Sequence, residues 1–154
     1  MQISELPKEA EYYLPHRAPM LLLDELVEVK DNGCVAKLTI REDLPFMEAE
    51  GLPSWVGIEI MAQTIAMFGG VKERLKDSAP KLGFLLGSKS FEMGQDHFAI
   101  GEELIIEIDL QFLNRHQIGI FDCQLKSPHS LSKATILVSQ PDDVDAFLGV
   151  LKAS

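Results

Sequence analysis

Glu59 is the residue in this sequence best suited to chemistry. It stands about one turn into a stretch, Trp55 to Val71, that is otherwise almost wholly apolar and free of proline. A carboxylate removed from water is costly unless it is protonated, paired or at work. Gln63 follows four residues later, and on a helix that spacing puts both side chains on one face. The pair makes a small polar notch in an apolar helix, close to its N-terminus. Burial would favour a neutral carboxylic acid there, whereas the positive end of the helix would favour a carboxylate, so the two effects oppose each other. A neutral Glu59 could protonate a leaving hydroxyl. A Glu59–Gln63 hydrogen-bonded pair could equally do no more than fix packing, and the residues alone weigh the two readings evenly.

The elements that must position this notch are legible in outline. From Trp55 to about Lys76 the spacing predicts one helix, opened by Ser54 as cap or Pro53 as first-turn residue. It is apolar nearly all round over WVGIEIMAQTIAMF, as a helix enclosed by the rest of the fold must be. Residues 5–13 suggest a short helix, and Met20 to Lys30 an extended segment. Asp31-Asn32-Gly33 signals a hairpin, and CVAKLTIRE returns as a strand. Residues 43–54, broken by Pro45, Gly51 and Pro53, read as a loop. After Pro80, KLGFLLGSKSF, ELIIEIDLQFL, IGIFDCQLK and LSKATILVSQ read as strands, the second alternating without a fault. The tail, PDDVDAFLGVLKAS, is weakly helical at best. This pattern predicts an α+β chain forming a single domain over 1–154. An antiparallel sheet of five to seven strands would wrap around one long central helix, the hot-dog architecture. Such a sheet has open edges, which dimerisation commonly covers.

Bulk composition narrows the function classes. The chain of 154 residues buries roughly 68–70% of its extended surface, so it needs no metal or disulfide staple. Fourteen Lys and Arg against 24 Asp and Glu give a formal charge of −10, which repels nucleic acid and anionic membranes. The same charge would repel an acidic carrier protein, so docking would need a local positive patch near Lys72, Arg74, Lys76, Lys81 and Lys89, or a partner subunit. The Trp55–Val71 stretch is too short and too polar to span a membrane, and the polar, acidic N-terminus carries no signal peptide. Cys34 and Cys123 lack companions at metal-ligand spacing and read as buried thiols of a cytoplasmic protein. With no ligand cluster and no glycine-rich phosphate loop, no metal or cofactor is expected.

Two segments carry a resemblance. LPHRAPMLLLD, Leu14 to Asp24, is similar to the opening of 3-hydroxyacyl-carrier-protein dehydratases. Glu59-Ile60-Met61-Ala62-Gln63 is similar to the E-x-M-A-Q of their helix, and the two stand in the right order. The resemblance implies that Glu59 is the acid paired with the substrate hydroxyl and that Gln63 supports it. It also implies that amides around Trp55, Val56 and Gly57 hold the thioester carbonyl. His16 belongs to the LPHR segment on the substrate side, and a structural role is expected for it. Met61, Met67 and Phe68 could line an acyl tunnel, although such residues at helical spacing are more often plain core.

The departure from the family is equally informative. Its G-H-F-P-G loop holds the histidine that removes the proton next to the thioester. The corresponding Pro45 to Pro53 here contains no histidine. His97, His116 and His129 lie in turn-like segments and read as solvated, and Glu48 or Glu50 as solvated loop carboxylates. If the chain has its own base, Glu48, Glu50 and His16 are the candidates. The stretch Gly51 to Gln63 resembles that of the histidine-lacking dehydratase subunits of aryl-polyene biosynthesis, which pair with a second hot-dog protein. The resemblance therefore implies a 3-hydroxyacyl thioester substrate, on acyl carrier protein or coenzyme A. The chain would be a homodimer or heterodimer in which it supplies the acid and a histidine-bearing subunit the base. Two alternatives remain: an acyl thioesterase on the same fold, with Glu59 activating water, and a non-catalytic acyl-binding subunit.

Overall fold

In a computed structural model, which describes residues 3–80, 83–116 and 118–139, eight strands and one long helix form a sheet wrapped around the helix. The main sheet has six antiparallel strands in the order β1-β2-β6-β7-β8-β4: β1 (Glu25–Lys30), β2 (Gly33–Thr39), β6 (Glu103–Leu113), β7 (Ile118–Lys126), β8 (Leu131–Ser139) and β4 (Phe84–Glu92). Two short strands, β3 (Leu52–Pro53) and β5 (His97–Phe98), pair apart from it. The helix α1 (Gly57–Leu75) packs against β2, β6, β7 and β8. This is the sheet-around-helix layout expected from the sequence. The weakly helical tail lies outside the described residues.

Local chemistry explains the main pairings. The β1–β2 hairpin turns at Asp31-Asn32, with Lys30 opposite Gly33. Gly33 serves close approach, because a Cβ there would lie 1.8 Å from the Ile108 carbonyl oxygen of β6. On β6, Leu104, Ile106 and Ile108 are fully buried, as alternation requires. A bulge between Leu110 and Phe112 then breaks the pattern, and Phe112 and Leu113 emerge at the surface.

Two segments differ from expectation. Residues 5–13 form no continuous helix but two 3-10 turns, Ile3–Glu5 and Ala10–Tyr12. The extended segment from Met20 becomes a strand only at Glu25. The chain between them arches across α1 instead. Arg74 Nε donates to the Tyr12 carbonyl at 2.8 Å, and its guanidinium lies over the Tyr12 ring at 4.3 Å. Gly70 makes room for the arch, since a Cβ there would stand 1.9 Å from the Tyr13 carbonyl oxygen. Backbone polar groups that leave a ladder must find partners elsewhere, and here the helix side chains supply them.

Candidate active site

One face of α1 departs from the all-round burial that its sequence predicts. Ile60, Met61, Thr64, Met67 and Val71 are buried in the core, whereas Glu59, Ala62, Ala66 and Gly69 are only partly covered. Their spacing of three and four residues places them in one stripe. Small side chains along that stripe leave a cleft of about 650 Å³. It follows the helix for about 25 Å, from Glu59 to Lys76, at ~1.5 Å per residue. Pro15, His16, Glu59 and Gln63 form its polar end. Phe68, Leu85, Leu110, Leu113, Phe121 and Val138 form apolar walls. Lys72, Glu73 and Lys76 stand at the far end. A channel of this shape suits a long apolar chain with its reacting group near Glu59.

Gln63 is the centre of the polar end. It is 1% exposed. Its Oε1 accepts the Leu22 N–H at 2.9 Å, while its Nε2 donates to the Met20 carbonyl at 2.7 Å and to Glu59 Oε1 at 3.1 Å. One side chain therefore pins the arch to the helix and orients the carboxylate. The expected Glu59–Gln63 pair is present, but the expected burial of Glu59 is only partial. Its side chain is 38% exposed and opens onto the cleft. A carboxylate used only for packing would be closed off, and this one is presented.

His16 joins the same end. Its Nε2 lies 4.0 Å from Glu59 Oε1, and its Nδ1 is buried with no hydrogen-bond partner. Neighbouring Arg17 turns away, to the Leu14 carbonyl at 2.8 Å and the Glu11 carboxylate at 3.1 Å.

The helix start is only partly as expected. Ser54–Val56 form a 3-10 turn that runs into α1, with no side-chain cap at either start. The Gly57 N–H is already committed to the Ser54 and Trp55 carbonyls. The i→i+3 bonding of that turn commits the Val56 N–H to the Pro53 carbonyl as well, so of the three expected carbonyl-binding amides that of Trp55 remains as the candidate. None of the three residues lines the cleft in the single subunit, and the Trp55 side chain is 58% exposed against Phe46. Phe68 is a cleft residue, whereas Met61 and Met67 are plain core.

Other expected groups are dispersed. His116 and His129 are exposed in turns, as expected. His97 is not a turn residue: it lies in β5 and its Nε2 is 2.8 Å from Glu48 Oε1 and 3.9 Å from Glu50 Oε2. The three put ligand-type atoms within 4.8 Å of one another, a cluster missed in the sequence because 47 residues separate Glu50 from His97 and only the β3–β5 pairing unites them. Glu48 and Glu50 lie outside the cleft lining, and both pair with His97. The expected basic patch divides. Lys72 and Lys76 reach the cleft, Arg74 is bound to Tyr12, and Lys81 lies outside the described residues. Both thiols are buried and unpaired, and burial pushes Cys34 up and Cys123 up to about 12, so neither is a nucleophile at neutral pH.

The chain is similar to several known proteins. Residues 8–149 match the family described as ApeP-like, the ApeP dehydratases. Over 110 residues the chain is 29% identical to the 3-hydroxyacyl-acyl-carrier-protein dehydratase FabZ of Acinetobacter baumannii, covering 67% of this chain and 73% of that protein. The FabZ of Streptococcus pyogenes is 36% identical over 83 residues, 52% of this chain and 59% of that one. Among solved structures, the dehydratase heterocomplex ApeI:P from Xenorhabdus doucetiae contains a chain similar to this one. The TM-score is 0.84 and the identity 27%, over 94% of this chain and 99% of that chain. The smu.793 protein of Streptococcus mutans, bound to acetyl CoA, shares the fold alone. Its TM-score is 0.61 at 12% identity, over 83% of this chain and 95% of that one.

Proposed function

The chain belongs to the ApeP-like dehydratase family, and from that premise we propose that Glu59 is the acid that protonates the departing β-hydroxyl of a 3-hydroxyacyl thioester. The protein is a hot-dog-fold dehydratase, a hydro-lyase that forms an enoyl thioester and water. One observation carries the assignment of the acid. Glu59 stands at the polar end of an apolar cleft, oriented by a Gln63 that is buried and fully bonded. The thioester makes the α-proton acidic, and a helix start one turn before Glu59 that lacks a side-chain cap offers the Trp55 amide to the enolate oxygen. The apolar walls accept the acyl chain.

The substrate is carried on an acyl carrier protein or on coenzyme A, and the active unit pairs this chain with a second hot-dog subunit. Support comes from the surface. Strand β4 is a sheet edge that exposes Leu85 and Leu86, and β6, separated from it by β7 and β8, exposes Phe112 and Leu113. An edge strand that exposes apolar side chains offers its unpaired backbone to another chain. Such a subunit would also roof the open cleft and dry Glu59. Among the described residues no helix is long and apolar enough to cross a membrane. We place the reaction in the cytoplasm, which also suits two buried, unpaired thiols.

The test is interconversion of 3-hydroxyacyl and trans-2-enoyl thioesters, with and without a second hot-dog subunit, for the wild type and Glu59→Gln. General acid catalysis predicts a fall in kcat of about 10²–10⁴-fold in the variant. Turnover by Glu59→Gln at the wild-type rate would remove Glu59 as the acid. Accumulation of free thiol would make the protein a thioesterase instead.

A further inference from the structure

We propose that His16 is the base of this dehydratase, so that acid and base stand in one chain and share one proton between turnovers. The inference rests on the reading of Glu59 as the acid and deepens it.

The expectation for His16 was structural, and a structural histidine has a recognisable form. Its ring nitrogens are tied to carbonyls, carboxylates or amides that fix its orientation. His16 has neither tie. Nδ1 is buried without a partner, and Nε2 has Glu59 Oε1 at 4.0 Å, beyond hydrogen-bond reach. The backbone that carries the ring is nevertheless held. Arg17 Nη1 donates to the carbonyls of His16 at 2.6 Å and Leu14 at 2.8 Å, and Gln63 clamps Met20 and Leu22. A ring on a held backbone that lines the cleft with its Nε2 outside hydrogen-bond reach of any partner is available to a substrate.

The spacing fits the chemistry. Elimination needs one group at the α-hydrogen and one at the β-oxygen, sites separated by two carbon atoms. Two side-chain atoms 4.0 Å apart on one wall of a cleft can straddle that unit. In the forward direction His16, neutral, takes the α-proton on Nε2. The Cα–H electron pair forms the Cα=Cβ bond, and the Cβ–O bond breaks. The departing oxygen takes the proton of Glu59 and leaves as water. The site then holds an imidazolium and a carboxylate. The two atoms are too far apart for direct transfer, so the product water, standing between them, accepts the proton of Nε2 and gives one to Oε1; it then leaves as water and the starting state is restored. The other charged groups of the cleft, Lys72, Glu73 and Lys76, stand at its opposite end.

The test separates the base from the acid by removing the leaving group. A saturated acyl thioester on coenzyme A can exchange its α-hydrogen for solvent deuterium through the base alone, and mass spectrometry reads that exchange. It is measured on the complex with the second hot-dog subunit, and on the chain by itself. The wild type and Glu59→Gln should both exchange. His16→Gln and His16→Asn should lose at least about 100-fold, the lower range for general base catalysis. Exchange by folded His16→Gln at the wild-type rate would overturn the proposal and place the base on the partner subunit. If neither His16 variant folds, ethoxyformylation of the wild type decides the matter. Loss of exchange must track modification of His16 in peptide maps, and tracking with His97, His116, His129 or a partner histidine overturns it. Dehydration that persists in Glu59→Gln would sink the acid assignment while leaving the exchange result intact.

Discussion

Replacing Gln63 by Leu removes three hydrogen bonds while keeping the volume of the side chain, and the structure says how much each is worth. The Leu22 N–H is in a fully buried residue, so its loss of Gln63 Oε1 leaves a dry, unsatisfied donor costing about 1–3 kcal/mol. The Met20 carbonyl belongs to a residue that is 42% exposed, and water can replace Gln63 there at little cost. The bond to half-covered Glu59 adds about 1 kcal/mol at most. The expected destabilisation is therefore about 1–4 kcal/mol. For a chain of this size that lowers Tm by about 2–16 °C. Thermal unfolding followed by circular dichroism measures it. Gln63→Ala is the control. If burial of apolar surface governed the site, Leu would be clearly more stable than Ala, by about 2 kcal/mol. If the orphaned Leu22 N–H governs it, Ala admits a water and closes that gap. Gln63→Leu should also lower kcat, because Glu59 loses the group that aims it. A Tm within 1 °C of the wild type would refute the account of the arch as pinned by this side chain.

Ala66→Phe should obstruct the cleft beyond the reacting end. Excluding about three methylenes at ~0.8 kcal/mol each lowers kcat/KM for long acyl thioesters on the order of 50-fold, with four-carbon substrates little affected. Equal losses for both lengths would show that the acyl chain does not lie along α1. Gly70→Ala gains about 1 kcal/mol of helix propensity but drives a Cβ against the Tyr13 backbone, an overpacking that costs about 1–3 kcal/mol or more. It should lower both Tm and turnover, since the displaced arch carries His16; a raised Tm would contradict the close contact. Lys30→Met tests an ion pair at the hairpin. The hydrogen bond from Lys30 holds Glu107 below its usual range, against burial; burial alone would lower Lys30, but Glu107 and Asp109 outweigh it and hold it higher. The Glu107 contribution is thus present above the ordinary carboxylate range and lost as pH falls through the depressed value. That of Lys30 is present below the ordinary ammonium range and lost as pH rises through the elevated one. Both side chains are partly exposed, so the variant should lose only about 0–1 kcal/mol near neutrality. That gap should close as pH falls below the ordinary carboxylate range and through the depressed Glu107 value. A gap that persisted in acid would mean that packing, not charge, is at stake.

The sequence by itself determined the helix, most strands and the Glu59–Gln63 pair. Those features are local: periodicities of two and 3.6 residues, turn chemistry at Asp31-Asn32-Gly33, and a Glu59–Gln63 spacing that one helix guarantees. The loop without a histidine was equally legible, because an absence at a position is a fact of composition. Tertiary structure decided what surrounds that pair. The Met20–Asp24 segment reads as strand, yet Gln63, about forty residues away, captures its backbone groups before the sheet can. His16 reads as a structural residue of its own segment until the arch lays it beside Glu59. The cleft exists because Ala62, Ala66 and Gly69 fall on one helix face beneath a β6 bulge, and helical apolarity alone cannot tell a buried face from a lined one. His97 meets Glu48 only through a two-residue strand pairing. In each case the deciding contact joins residues distant in sequence, and its energy depends on backbone donors and free volume that no local pattern encodes.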